Sequence, residues 1–208
     1  MSRLLVIQSS PRTQRSKSNL VADAFVEVYR THNPEDEIEV INLSQLDLPI
    51  LDEATLNAKY AIMHGQLPSD EDMEHWAGVE DVIVQFMAGD KFLFATPMWN
   101  FSLPYYLKHF LDVIIQPTYT FAYNEDEGYR GLVTGRPAAV IYARGGAYEG
   151  DYASLDMQKP YLEQVLGFMG IADIQSIIIE PTLMAGPIAA KQAIAAGVEK
   201  AKEIASGF

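Results

Sequence analysis

The stretch that most constrains this chain is Lys91-Phe92-Leu93-Phe94-Ala95-Thr96-Pro97 and the turn and helix pattern that follow it. Phe92 to Ala95 is an unbroken apolar run, so it reads as a strand covered on both faces. Pro97 has no N–H for a ladder and ends it. Around and past Pro104, apolar residues recur at Leu103, Leu107, Phe110, Leu111, Ile114 and Ile115, the spacing of one helix face. A doubly covered strand passing at once into a helix belongs in a parallel sheet between helix layers. The joining loop, Met98-Trp99-Asn100-Phe101, sets two large rings and a thioether around one amide. Ligands of open α/β sheets bind beyond the carboxyl ends of strands, where this loop falls. Two readings stand: the rings face a flat, conjugated ligand, or they cap the core.

The rest of the chain repeats the unit. Leu4 to Ile7 reads as a first strand, and a helix follows from Ser18 with Leu20, Val21, Ala24, Phe25, Val28 and Tyr29 on one face. Ser16 or Ser18 is its natural N-cap, and Asn33-Pro34 stops it. Ile38 and Val40 alternate with Glu37 and Glu39 in a second strand. Two helices are expected before the third strand, one through Tyr60 and Met63 and one capped near Ser69 and reaching Met87. Residues 116–136, rich in Tyr, Gly and acids, read as an excursion with an irregular hairpin. Ala138 to Ala143 and Ile174 to Ile179 are the fourth and fifth strands, each followed by a helix pattern, Pro160 to Met169 lying between them and Pro187 to Ser206 at the end. Five strands alternating with helices, joined by right-handed crossovers, predict one domain over residues 1–208: a flavodoxin-like doubly wound five-stranded parallel sheet, order 2-1-3-4-5, with helices on both faces.

Composition narrows the function. The 208 residues are 49% hydrophobic, enough for a substantial core and too apolar for a disordered chain. A net charge of −13 opposes nucleic-acid binding, which needs a cationic surface. No apolar run approaches membrane-span length, and the start turns polar too early for a signal peptide, so a cytoplasmic location is expected. Without cysteine there is no thiolate metal site and no thiol catalysis.

Against that acidic background the first loop stands out. Ser9 to Lys17 carries Ser9, Ser10, Thr13 and Ser16, with Arg12, Arg15 and Lys17, and no acid occurs between Met1 and Asp23. Hydroxyls and free backbone N–H groups at a helix start make an anion site. Cations ahead of that start oppose the macrodipole by some tenths of a kcal/mol each, a cost that a bound phosphate would offset. Any one of the three, taken singly, reads as a solvated loop cation; it is the serines with the helix start that point to a phosphate. The loop lacks both the P-loop and the G-x-G-x-x-G pattern, which argues against ATP or a Rossmann-bound dinucleotide. Arg144-Gly145-Gly146 ends the fourth strand beside the same crevice, either for close approach of backbone to a flat ring or simply as a turn. No G-x-S-x-G elbow, H-E-x-x-H or D-x-D-type loop is present, and none of His32, His64, His75 and His109 falls in a triad-like context. A phosphate cradle with aromatic walls and no evident acid, base, nucleophile or metal ligand favours a cofactor that carries the chemistry itself.

At this level of detail the chain resembles the FMN-dependent, NADH-using azoreductases, relatives of the flavodoxin-like quinone reductases. The resemblance rests on Ser9-Ser10 with Ser16-x-Ser18-Asn19, on Pro97-Met98-Trp99-Asn100-Phe101, and on Gly131-Leu132-Val133-Thr134-Gly135. It continues through Arg144-Gly145-Gly146, Pro160-Tyr161-Leu162, Leu166 to Ile171 and Gly186-Pro187. It implies that Ser10, Ser16, Lys17 and Ser18 hold the FMN phosphate, and that Pro97, Met98, Trp99, Asn100 and Phe101 lie against the isoalloxazine. Ala143, Arg144, Gly145 and Gly146 would follow the ring's pyrimidine edge. Trp99 stands where the family often has Tyr, and Ala143 where it often has Ser. Members are homodimers with sites at the interface, which makes Phe121 and Phe168 candidates for contact with substrate or flavin.

The resemblance further implies hydride transfer from NADH or NADPH through flavin N5 to quinones and azo compounds, in ping-pong order, with no side chain acting as catalyst. Two other flavin readings remain open on sequence: a flavodoxin-like electron carrier and an FMN-binding sensor without NADH turnover. The long Tyr-rich excursion and the missing T-x-T-G-x-T loop count against the carrier.

Overall fold

A computed structural model describes residues 1–208. Five parallel strands form one sheet in the order β2-β1-β3-β6-β7: β1 (Arg3–Gln8), β2 (Glu37–Asn42), β3 (Lys91–Pro97), β6 (Ala138–Ala143) and β7 (Ile174–Ile179). A separate antiparallel hairpin, β4 (Phe121–Asn124) and β5 (Gly128–Gly131), accounts for the gap in numbering, so the main sheet has the expected 2-1-3-4-5 order. The helices are α1 (Lys17–His32), α2 (Glu53–Met63), α3 (Asp70–Met87), α4 (Tyr105–Ile114), α5 (Lys159–Met169) and α6 (Gly186–Gly207).

Residue parity divides the core. Leu5, Ile7, Phe92, Phe94, Ala138, Val140 and Tyr142 face α2, α3, α4 and α5. Their neighbours Leu4, Val6, Leu93, Ala95, Ala139, Ile141 and Ala143 face α1 and α6. That is why the strands read as continuous apolar runs: successive side chains point to opposite sheet faces, and both are covered. Each fully buried Leu or Phe contributes about 1.5–3 kcal/mol, so the two layers supply most of the driving force.

The ends follow local chemistry. Ser16 caps α1 by accepting from the Asn19 N–H at 3.2 Å, and Asp52 and Ser69 cap α2 and α3 the same way. Gly170 closes α5 in the left-handed region, φ 104°. His109 Nε2 bonds the Pro49 carbonyl at 2.8 Å and pins the chain ahead of α2 to α4, a structural role.

Three details depart from the sequence pattern. Leu20 lies on the expected inner face of α1 but points outward, and the buried stripe is instead Ser18, Val21, Ala22, Phe25 and Tyr29. In β2 it is Ile41 that is buried while Val40 is exposed: on this edge strand the two point to opposite sheet faces, and Ile41 joins the apolar layer under α2 to α5 whereas Val40 joins neither layer. A 3-10 turn at Gly150–Leu155 had no signal in the sequence pattern.

Candidate functional site

The order β2-β1-β3 makes the chain leave β1 and β3 in opposite directions, and the crevice beyond their carboxyl ends is where such sheets bind ligands. A cavity of about 220 Å³ lies there. It is lined by Ser10, Arg12, Arg15, Ser16, Lys17 and Ser18 from the β1–α1 connection, Pro97, Met98 and Trp99 beyond β3, and Ala143, Gly145, Thr182 and Leu183 from the ends of β6 and β7. Sequence-distant residues singled out as a cofactor cradle thus share one wall. Not one of the lining residues is acidic, in a chain with 28 Asp and Glu.

Its polar end is built by the start of α1. Ser16 and Ser18 are buried with their hydroxyl oxygens 3.1 Å apart, and Ser10 Oγ accepts from the Arg12 N–H at 3.3 Å. Lys17 Nζ donates to the Thr182 carbonyl, bridging the β1 and β7 ends. Arg12, Arg15 and Lys17 make no salt bridge. Partial burial holds the Lys17 amine below its ordinary range, and the neighbouring Arg12 charge pushes the same way. Hydroxyls, a helix start and three cations without counter-charge are a donor set suited to a phosphate monoester.

The aromatic end is held by a tight turn. Trp99 and Ser102 exchange N–H···O bonds of 3.0 Å, and the two residues between them, Asn100 (φ 47°) and Phe101 (φ 69°), are both left-handed. These are the dihedrals of a type I′ turn, tolerated by Asn but strained at Phe by roughly 1–2 kcal/mol. The turn presents the half-exposed Phe101 ring edge-on to Tyr148, centroids 6.2 Å apart. The Met98 N–H donates to the Ala143 carbonyl at 2.8 Å, fixing this turn against the end of β6.

Other candidates fall elsewhere. Phe101 and Gly146 belong to a neighbouring cavity of about 640 Å³ with Tyr148, Tyr152, Leu155 and Met184, and Asn100 lines a third, of about 660 Å³, with Trp99, Ser102 and Tyr105. The Arg144 side chain lines neither of the first two cavities; it turns inward to Asp156 and Glu180. Phe121 of the hairpin and Phe168 of α5 pack with centroids 4.8 Å apart and planes tilted by 50°, with Tyr129 and Tyr123 beside them, as an aromatic patch outside these cavities. Arg12, Arg15, Thr182 and Leu183 line the cavity although they were not placed among the site residues by motif. The two arginines were visible as a charge excess, whereas Thr182 and Leu183 are brought in only by the sheet order.

Fold and site together define a doubly wound α/β domain whose switch-point cavity has the donors and rings suited to a phosphate-bearing, planar ligand. A model of the flavodoxin-like fold matches residues 2–205. The FMN-dependent NADH:quinone oxidoreductase of Nitratidesulfovibrio vulgaris strain DP4 is 46% identical over 210 residues, covering all of both chains. The FMN-dependent NADH:quinone oxidoreductase 1 of Bacillus subtilis strain 168 is 33% identical, again over both full lengths. Among solved structures, an FMN-dependent NADH-azoreductase from Bacillus anthracis in complex with FMN superimposes with a TM-score of 0.89 at 29% identity, over 100% of this chain and 99% of that one. The chain belongs to the flavodoxin-like-fold family and, within it, to the FMN-dependent NADH:quinone oxidoreductases.

Proposed function

We infer that this chain is an FMN-dependent oxidoreductase that passes electrons from NADH to quinones and azo compounds, as a single domain over residues 1–208 that works in the cytoplasm as a homodimer. The observation that carries the reading is the acid-free cavity at the switch point, where Ser10, Ser16, Lys17 and Ser18 meet Pro97 to Trp99 and Ala143 with Gly145. The residues fit FMN: the hydroxyls, helix start and cations suit its phosphate dianion, and the Trp99–Ser102 turn and the Ala143–Gly146 backbone suit its ring. Bound there, the flavin supplies a two-electron relay between donor and acceptor.

The residues of the chain bind and orient. Ser16 and Ser18 offer hydroxyls to the phosphate while Lys17, tethered to Thr182, neutralises it. Gly145 offers bare backbone to the cavity, along which a ring edge would lie, and the strained Phe101 gives an aromatic wall to the adjoining cavity. The electron balance needs no protein redox group: NADH, a proton and a quinone give NAD⁺ and a hydroquinone. Cleaving an azo bond to two amines takes two such rounds. Donor and acceptor use one face in turn, which gives ping-pong kinetics. The patch of exposed Tyr123, Tyr129 and Phe168, with the half-buried Phe121 among them, suits a subunit interface beside the acceptor.

The test is spectroscopic. Purified protein mixed with FMN should show bound-flavin bands that bleach under anaerobic NADH and return on adding a quinone or azo dye. Bands that persist under NADH would point to a carrier or sensor, and no bound flavin would overturn the reading.

A further inference from the structure

Arg144 is almost completely buried, 2% exposed, at the end of β6. Burying a guanidinium without partners is prohibitive, so each part of its fork is engaged. Nε donates to Gln158 Oε1 at 3.1 Å, Nη2 to Asp156 Oδ2 at 2.7 Å and Nη1 to Glu180 Oε2 at 3.3 Å. The rings of Tyr142 and Tyr148 flank it at 5.5 and 5.9 Å. These partners come from separate segments. Asp156 Oδ1 accepts from the Gln158 and Lys159 N–H groups and so is tied to the start of α5, while Glu180 follows β7. The Arg144 carbonyl accepts from Thr182 twice, from its N–H at 2.9 Å and its hydroxyl at 2.7 Å.

The segments so gathered are cavity walls. Thr182 and Leu183 close the phosphate cavity, and Tyr148, Leu155 and Pro181 close the larger one beside it. The backbone that Arg144 anchors, Ala143 to Gly146, runs between the two. A buried ion pair is often no more stabilising than apolar side chains of equal volume, so stability alone does not account for a guanidinium here. What the fork adds is direction: one planar group holds three acceptors at fixed angles, which a lysine ammonium cannot do.

We propose that Arg144 is a positioning residue, which never touches the cofactor but sets the Ala143–Gly146 backbone as the shelf for the edge of the flavin ring. This rests on the FMN reading above. Its signature is that it serves the ring and not the phosphate. Apo-protein carrying Arg144→Lys, and separately Asp156→Asn, would be titrated with FMN and with riboflavin, which has the same ring without phosphate. The visible spectrum and midpoint potential of the bound flavin would be recorded alongside. The expected result is that both flavins weaken by the same factor, about tenfold or more, with the FMN-to-riboflavin ratio kept and the spectrum and potential shifted. Wild-type affinity and spectrum in both variants would overturn the proposal. So would a loss confined to FMN, which would place the effect at the phosphate end. Should Arg144→Lys fail to fold, the near-isosteric Asp156→Asn decides alone. Wild-type protein that binds neither flavin would refute the cofactor reading instead.

Discussion

Replacing Ser18 by alanine separates the phosphate cradle from the fold that carries it. Ser18 is fully buried, and its hydroxyl has one protein neighbour, Ser16 Oγ at 3.1 Å. The α1 cap is the Ser16 oxygen, which keeps its bond to the Asn19 N–H at 3.2 Å without Ser18. Removing the Ser18 hydroxyl should therefore cost the unliganded protein only the net worth of one hydrogen bond, about 0.5–1.5 kcal/mol. Toward a phosphate dianion the same hydroxyl makes a charge-assisted bond worth about 1.5–3 kcal/mol, so the Kd for FMN should rise by about tenfold to a hundredfold. Riboflavin binding should not change. The assay is fluorescence quenching of each flavin by apo-protein, paired with thermal melting. Ser16→Ala is the contrast: it removes cap and ligand together, and should add about 1 kcal/mol of destabilisation to a comparable affinity loss. An FMN Kd within about twofold of wild type in Ser18→Ala, or an equal loss for riboflavin, would refute the phosphate site.

Three further outcomes follow from other parts of the molecule. At Gly131 an added Cβ would sit 2.3 Å from the Gly170 nitrogen and 2.4 Å from the Met169 carbonyl carbon. Gly131→Ala should therefore push the hairpin off α5 and lower stability by about 1–3 kcal/mol, seen as a fall in Tm; an unchanged Tm would mean the hairpin moves freely. Because burial and Arg12 hold the Lys17 amine below its usual range, FMN affinity should begin to fall at a lower alkaline pH than a free lysine would give, and Lys17→Met should abolish that limb of the titration. An identical alkaline limb in the variant would exclude Lys17 as its source. The Asp36 carboxyl is held below its ordinary range, first by the Ser2 N–H at 2.6 Å and then by the Tyr29 hydroxyl at 2.6 Å. A depressed folded-state pKa contributes stability above the unfolded value and loses it as pH falls through the folded one, so Asp36→Asn should flatten the stability profile below about pH 4. Parallel denaturant melts of the two proteins from pH 6 to pH 2 would test this.

Much of this was legible because the strands are covered twice. Phe92 to Ala95 and Ala138 to Ala143 leave no polar alternate, so their place in a two-faced sheet, and with it the switch point, follows from hydrophobicity alone. The serine loop was legible through charge, since three cations without an acid are conspicuous in a chain at −13. Other features depend on partners that sequence does not display. Arg144 reads as a crevice cation, yet Asp156, Gln158 and Glu180, far along the chain, turn it inward. Val40 looks like an inner strand residue and is exposed because, on the edge strand, it points to the face opposite the one where Ile41 is covered. Asn100 and Phe101 carry no glycine to announce a left-handed turn, and only the paired Trp99–Ser102 bonds reveal it.

The hairpin β4–β5 shares no strand pairing with the five-stranded sheet. Its aromatic residues can accordingly be varied without touching any residue that lines the phosphate cavity. For laboratory evolution this amounts to a natural partition: a library spanning residues 121–130, with Gly131 held fixed, explores new surface chemistry while the inherited cradle stays constant. A lineage could drift in what it meets at that surface and still keep the same crevice at the ends of β1 and β3.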